Sequence, residues 1–436
     1  MNIDNSEETI NKKFLGFFKV EQVNSKWCFI DPEGNPFFST GICGVSSSGF
    51  YAPDLGYSPY NKNIIEKYGS DEQWAQVTHD RMKTWNFNTI GYGDQYMVDT
   101  GLPYCVQLGL AFDDWIGGGI ADYFSDEWIS KVDEMCKEKV APISEDKNLI
   151  GFFLDNEVHW GPDWRLFNDL AEDYCKMPSD SPGKHALVEF LRNRYNNNIE
   201  KFNDIWKTEY KSFDDLRSVT RLGLYSLNKQ ARADRAAFTF FAAEQFFKVC
   251  YETIRKYDGN HLILGVRFQS YLTPLEVVKA SIPYIDVISV NHYFARPVLI
   301  GPIIIMDKLF GFVSTMDMLE EYYTSSGKPV LISEFNIRAK DSGLPNKKPP
   351  QILFPVVKTQ EKRADLFEKM MQRFISKPYA IGYHWYAYTD EPNTGRFDGE
   401  DSNTGIVNVM DEPYPALTER MTKINHLAQE SVKKKS

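Results

Sequence analysis

The sequence predicts an α/β protein built as a (β/α)8 TIM barrel, with a small N-terminal β-hairpin and a helical insertion after strand four. Three observations lead there. Eight short apolar runs without strict alternation recur along the chain, the pattern of strands buried on both faces. Segments with helical spacing separate them. Polar residues gather where four of the runs end, at Asn156-Glu157, Asn291-His292-Tyr293, Glu334 and His384-Trp385-Tyr386. A chain of 436 residues has room for one large barrel or for two to three ordinary domains. It shows no repeat of 20 to 50 residues and no Pro- or Ser-rich linker, so a single domain with insertions is the economical reading.

The elements follow in order. Residues 1–35 form a polar leader and a hairpin that plugs or flanks a larger body, with strands at 19–23 and 26–30 and a turn at 31–35. The barrel occupies 36–429. Its first strand is 36–45, followed by a long loop to about Gly69 and a helix at 71–85, where Trp74, Val77, Met82 and Trp85 keep helical spacing. Strands two to four are 88–91, 104–110 and 149–156, with a helix at about 126–140 before the last of them. A polar, helix-rich insertion at about 161–226 precedes a helix at 232–257. Strands five to eight are 261–267, 285–290, 329–333 and 380–384, with helices near 275–280, 316–323 and 361–375 between them. A helix at 414–429 closes the barrel, and 430–436 is a frayed tail.

A net charge of -11 argues against a polyanion binder, so nucleic acid is not an expected partner. The acidic, polar start lacks the basic patch and apolar stretch of a secretory leader, and no apolar run reaches the roughly 18 residues of a membrane span. A cytoplasmic protein with no membrane association is expected, a secreted mature form staying open if a leader was removed. The six cysteines lie far apart with no C-x-x-C spacing, which fits buried thiols better than disulfides or zinc.

Two glutamates carry the chemical argument. Glu157 closes the run that begins at Leu149, and Glu334 closes the run that begins at Pro329. Two carboxyls at neighbouring strand ends suit retaining glycosidic chemistry, in which one protonates the leaving oxygen and the other attacks the anomeric carbon. Nine Trp and 24 Tyr fit a cleft where flat rings stack on sugar faces. Arg267, charged at the close of an apolar strand, either orients a carboxylate or is a structural ion-pair partner. His292 sits opposite Asn291 and Tyr293 by alternation unless the strand has already ended. Trp160 and Trp164 are stacking platforms or packing. His159, His292 and His384 stand at three strand ends, but no H-E-x-x-H pair exists, so neither metal nor cofactor is expected. Gly117-Gly118-Gly119 lacks a following Lys-Ser/Thr and reads as a flexible loop.

From about residue 37 to 428, these strand-end residues in this order resemble the retaining glycoside hydrolases of clan A, with Asn-Glu on strand four and Glu on strand seven. The resemblance implies that Glu157 is the general acid/base and Glu334 the nucleophile. It further implies that Asn156 binds the sugar 2-hydroxyl, that Tyr293 orients Glu334, that Trp385 floors the -1 subsite, and that a non-proline cis bond follows Trp385. Asn291, His292 and Arg267 complete the substrate-binding candidates. The stretches 85–91, 153–161 and 390–400 are similar to β-agarase-like families, the last as a loop whose charged and amide groups meet substrate hydroxyls. The expected substrate is therefore a β-linked, galactose-containing oligo- or polysaccharide. A β-glucosidase- or β-mannanase-type enzyme on the same barrel is the alternative, because loops set specificity. A non-catalytic carbohydrate-binding barrel is the other, and it should have lost one carboxylate. Long connections after strands one, four, six and eight favour a pocket closed at one end and exo action.

Overall fold

The computed structural model describes residues 16–163, 165–223, 228–270, 272–293, 315–351, 354 and 356–433, with the side chains of 315–317 excluded. Most of the polar leader, Trp164 and the last three residues of the expected tail lie outside them. The apolar runs pair as the sequence predicts. In chain order the strands are β1 (Lys19–Val23), β2 (Lys26–Ile30), β3 (Pro36–Phe37), β4 (Ser39–Val45), β5 (Thr89–Gly93), β6 (Tyr104–Gln107), β7 (Leu149–Phe153), β8 (Leu262–Ile263), β9 (Phe268–Gln269), β10 (Ile288–Asn291), β11 (Val330–Phe335), β12 (Arg338–Ala339), β13 (Val356–Val357) and β14 (Ala380–Tyr386).

One parallel sheet runs β8-β7-β6-β5-β4-β14-β11-β10-β9. Its two end strands are pieces of a single segment, 262–269, so the sheet curls until its edges meet. On one side Leu264 donates to Phe152 (2.8 Å) and Leu154 to Gly265 (2.8 Å); on the other Asp286 donates to Ile263 (2.8 Å) and Ser270 to Asn291 (3.1 Å). The fifth strand, expected unbroken, is interrupted because Gly265 (φ 84°) and Arg267 (φ 53°) leave the extended region. With no Cβ, Gly265 takes that conformation at little cost. Inside the barrel, Gly41 leaves space for the His384 ring, since a Cβ there would stand 2.4 Å from it; His384 also meets Ser39 Oγ at 2.8 Å.

The hairpin forms, but its turn is Asn24-Ser25, both at positive φ, as a type I′ two-residue turn requires. The expected turn at 31–35 instead leads into β3, which pairs with β2. The barrel therefore starts at Ser39, three residues later than the sequence reading placed it. Phe18 and Phe29 join Cys105, Ile150, Leu262, Val287, Leu331 and Ile381, residues at or beside the amino ends of six barrel segments, in one apolar cluster. The small sheet thus stoppers the end of the barrel opposite the strand-end carboxyls.

Helices cover the outside. A helix at Pro59–Tyr68 occupies part of what reads as a loop in the sequence. Ser58 caps its first turn, Pro59 starts it and Gly69 ends it at φ 86°, all local signals of a helix. The insertion contributes helices Leu170–Lys176, Pro182–Arg194 and Ile199–Trp206. The helix Lys229–Tyr257 buries Phe238, Ala242, Phe246, Cys250 and Ile254, a stripe at four-residue spacing. All six cysteines are buried, and none is in a disulfide. Among the described residues no helix is long and apolar enough to cross a membrane.

Replacing Phe29 by Ala empties the centre of the stopper. The expected cost is about 3 to 5 kcal/mol, read as a lower denaturant midpoint.

Candidate active site

The carboxyl ends of the strands carry the polar cluster. Past β7 the chain reaches Glu157 in the left-handed region (φ 51°), an uncommon conformation for a residue with a Cβ. Its surroundings hold it there: its N–H donates to Val266 (3.3 Å), while its carbonyl accepts from Arg165 Nη2 (2.7 Å) and Gln269 Nε2 (3.3 Å). Glu334 lies inside β11, opposite Asn291 of β10, where the register shifts. Asn291 Nδ2 donates to Glu157 Oε1 (2.9 Å) and to Asn156 Oδ1 (3.0 Å), and its own oxygen accepts from Ser333 Oγ (3.0 Å).

Both oxygens of Glu334 are engaged, Oε1 by the Tyr293 hydroxyl and Oε2 by Arg267 Nη2. Arg267 is itself 1% exposed. Its Nη1 donates to Gln107 Oε1 (2.7 Å), and its guanidinium lies 4.9 Å from the Tyr92 ring centroid and 5.5 Å from that of Phe153. Hydrogen bonds, an ion pair and ring faces together offset the desolvation of this charge.

The two acids sit in different fields. Burial pushes Glu157 up to about 7 and the charge of Glu334 adds to the rise, against the Asn291 hydrogen bond and the charges of Arg165 and Arg267. Burial also raises Asp155, to about 6, against the amides of Ala111 (2.6 Å) and Asn156 (2.7 Å). It lifts the Tyr293 hydroxyl well above its ordinary value, with Glu334 adding to the effect. The arrangement sets a carboxyl able to hold a proton near neutrality beside a carboxylate fixed in an ion pair.

Six of the eight residues singled out in the sequence meet here: Glu157, Glu334, Asn156, Asn291, Tyr293 and Arg267. Two do not join them. His292 is fully buried with Nδ1 2.8 Å from Ser270 Oγ, and burial lowers it to about 4, so its imidazole stays neutral, while its backbone N–H donates to the Glu334 carbonyl (2.7 Å). Trp385 is also fully buried: its indole donates to Thr404 (2.9 Å) and its ring packs on Phe335 and on Phe367 of the helix Gln360–Ile375. It cannot floor a subsite. The next residue, Tyr386, is the one that groups with Cys43, Phe50 and Tyr92, and its hydroxyl accepts from Arg396. The non-proline cis bond follows Tyr386, one residue later than expected.

The loop at 390–400 spends its charges internally. Asp390 accepts from Asn403, Gly405 and Tyr414, Glu391 from Ser402, and Arg396 is gripped by Asp398 and Glu400. Its Phe397 is exposed. Trp160 is buried and stacks on Phe247, so it is packing rather than a platform. The three histidines go to three places: His384 to Ser39, His292 to Ser270, and His159 between Asp163 and Asp173. Among the described residues no group of three or more His, Cys, Asp or Glu could hold a metal ion. Most of the long connection after β10 lies outside the described residues.

Sequence reasoning passed over Gln107, Tyr92 and Arg165, and noted Tyr386 at the end of the eighth strand without giving it a role. Gln107, polar at the end of β6, carried a signal; Arg165, inside the insertion, carried none. Beside Asn156, a pocket of about 150 Å3 is lined by Phe112, Trp115, Asp155 and Arg165 among others. A larger one, about 230 Å3, lies between Trp160, Arg235 and Pro274, and neither glutamate lines it.

Comparison with known proteins agrees with the β-agarase-like resemblance. Over an alignment of 493 residues the chain is 28% identical to β-agarase B of Vibrio sp. (strain JT0107), covering 95% of this chain and 48% of that protein. The chain is similar to the β-agarases. With β-agarase A of the same strain the identity is 27%, covering 94% of this chain and 45% of the relative. The structure of an exo-β-agarase superposes with a TM-score of 0.79 at 25% identity, over 96% of this chain and 65% of that one. The chain thus spans about half the length of the curated relatives it matches. No family model matches it.

The raised Glu157 makes a stability prediction. Folded, the group holds its proton up to about pH 7, whereas unfolded it releases it near its ordinary value of 4.5. Its contribution is therefore present below pH 4.5 and is lost as pH rises through 7. Glu157→Gln has no such proton, so its Tm relative to the parent should climb between pH 4.5 and 8. A difference in Tm that stays constant with pH contradicts this.

Proposed function

We propose that this chain is a retaining glycoside hydrolase of the clan A type that cleaves β-linked, galactose-containing sugars of the agarose kind by double displacement. The observation that carries the reading is the asymmetric carboxyl pair, with Glu157 raised to about 7 beside a Glu334 gripped through both oxygens. Glu157 donates its proton to the leaving oxygen. Glu334 attacks the anomeric carbon, its direction set by Tyr293 and Arg267. Once Glu334 is esterified its charge is gone, so the part of the rise in Glu157 that this charge added to burial falls away, and Glu157 becomes the base that activates water. Asn156 turns its amide N–H2 to the sugar 2-hydroxyl, since its oxygen already accepts from Asn291. Similarity to β-agarases over nearly the whole chain supports the agarose-type substrate. Retention is supported by the close grip on Glu334, which suits a nucleophile.

Product anomers read by proton NMR on agaro-oligosaccharides test the stereochemistry. First-formed product with the β configuration is expected, and α product removes the double displacement. Glu334→Gln should abolish hydrolysis of an activated aryl β-galactoside, and unchanged hydrolysis would take Glu334 out of the nucleophile role. Glu157→Ala should lose about 10²- to 10⁴-fold on poor leaving groups. It should keep much of its turnover on dinitrophenyl substrates, with azide trapping the glycosyl-enzyme.

A further inference from the structure

Beyond the two glutamates, the site depends on a cation that neither acid contacts through its carboxyl. Arg165 stands in the connection after β7 with its side chain 1% exposed. Nη2 donates to the Glu157 carbonyl (2.7 Å), Nη1 to the Trp115 carbonyl (3.1 Å) in the connection after β6, and Nε to Asp163 Oδ2 (2.9 Å). Asp163 also accepts from the backbone of Arg165 (2.7 Å) and Leu166 (3.3 Å). Behind it, buried His159 places Nδ1 3.1 Å from Asp163 and Nε2 3.3 Å from Asp173.

We propose that Arg165 is a positioning residue for Glu157, and that Asp163 and His159 lock it in place as a cationic clamp across the connections after β6 and β7. The inference rests on the reading of Glu157 as the acid. Glu157 draws on the clamp because its backbone sits at φ 51°, a conformation its surroundings must hold, and Arg165 makes the shorter of the two hydrogen bonds to its carbonyl, Gln269 the longer. The same two connections are joined a second time where Asp155 accepts from Ala111, so Asn156 and Glu157 are bracketed by two fixed points. A planar five-donor fork meets these partners from one position, and a lysine does not.

Two aspartates on its two ring nitrogens keep His159 charged, raising it to about 9 against the effect of burial; Asp113 acts on the same histidine from the β6 connection. The groups that face Glu157 are Glu334, Arg267, Tyr293 and Asn291 besides Arg165.

Arg165→Lys, Arg165→Gln and Glu157→Ala, assayed on one aryl glycoside with a poor leaving group and one with a good one, test the proposal. Both Arg165 variants should lower kcat on the poor leaving group about 10- to 100-fold with KM little changed, and spare the good one. Arg165→Gln should also move the basic limb of kcat/KM to higher pH, because a charge that favours ionised Glu157 is gone, whereas Arg165→Lys leaves the limb in place. Equal losses on both substrates, or no loss, overturn the clamp. If Glu157→Ala shows no leaving-group dependence, the acid assignment falls and the clamp with it. If it does and the Arg165 variants do not, the clamp alone falls. Should Arg165→Gln fail to fold, Arg165→Lys decides by its leaving-group dependence.

Discussion

A guanidinium buried in the mouth of a barrel is the constraint around which this molecule is arranged. Removing Arg267 from water costs several kcal/mol, and only close partners offset that cost. Glu334, Gln107 and the rings of Tyr92 and Phe153 come from four different strands to supply them. The fifth strand breaks at Gly265 and Arg267, and the break re-aims the side chain. The irregularity that splits one strand in two is therefore the feature that gives Glu334 its orientation.

The difference between the glutamates follows from which neighbours each strand end supplies. Glu334 has a cation and a phenol; Glu157 has the neutral amide of Asn291 and the charge of Glu334 itself. Neither acid is unusual alone. Glu157 holds its proton because it is buried first of all, and because it faces a charged neighbour second.

Much of this was legible in the sequence. Buried parallel strands write themselves as unbroken apolar runs, so the eight strand positions and the polar residues closing them stood out, and six of the eight chosen site residues meet. What the runs do not record is which way a residue faces once register slips. Pairing between β11 and β14 shifts twice, between Val330 and Leu331 and back again between Ile332 and Phe335, so counting alternation along one run does not fix which face a residue takes. Trp385, chosen by likeness to a family pattern, turns out to face the helix, and Tyr386 takes the cleft side. The loop at 390–400 hides a different feature: sequence does not show that Arg396 is held between Asp398 and Glu400 while it also reaches the Tyr386 hydroxyl. The helix Pro59–Tyr68 was missed despite a Ser-Pro start and a Gly stop, signals that a long loop length overrode.

The stopper under the barrel ties early and late parts of the chain together. Lys26 reaches the carbonyl of Ile375, 349 positions away, and Trp27 that of Pro378, while Phe18 and Phe29 pack on Ile381 of the last strand. During synthesis those two rings emerge long before the surface that covers them, so the apolar hairpin waits for its socket while the strands between are made. Such long-range contacts form slowly and leave sticky surface exposed in the interval. Sealing of the barrel is thereby deferred until β14 has been made, and the yield of native protein becomes a race between that closure and aggregation.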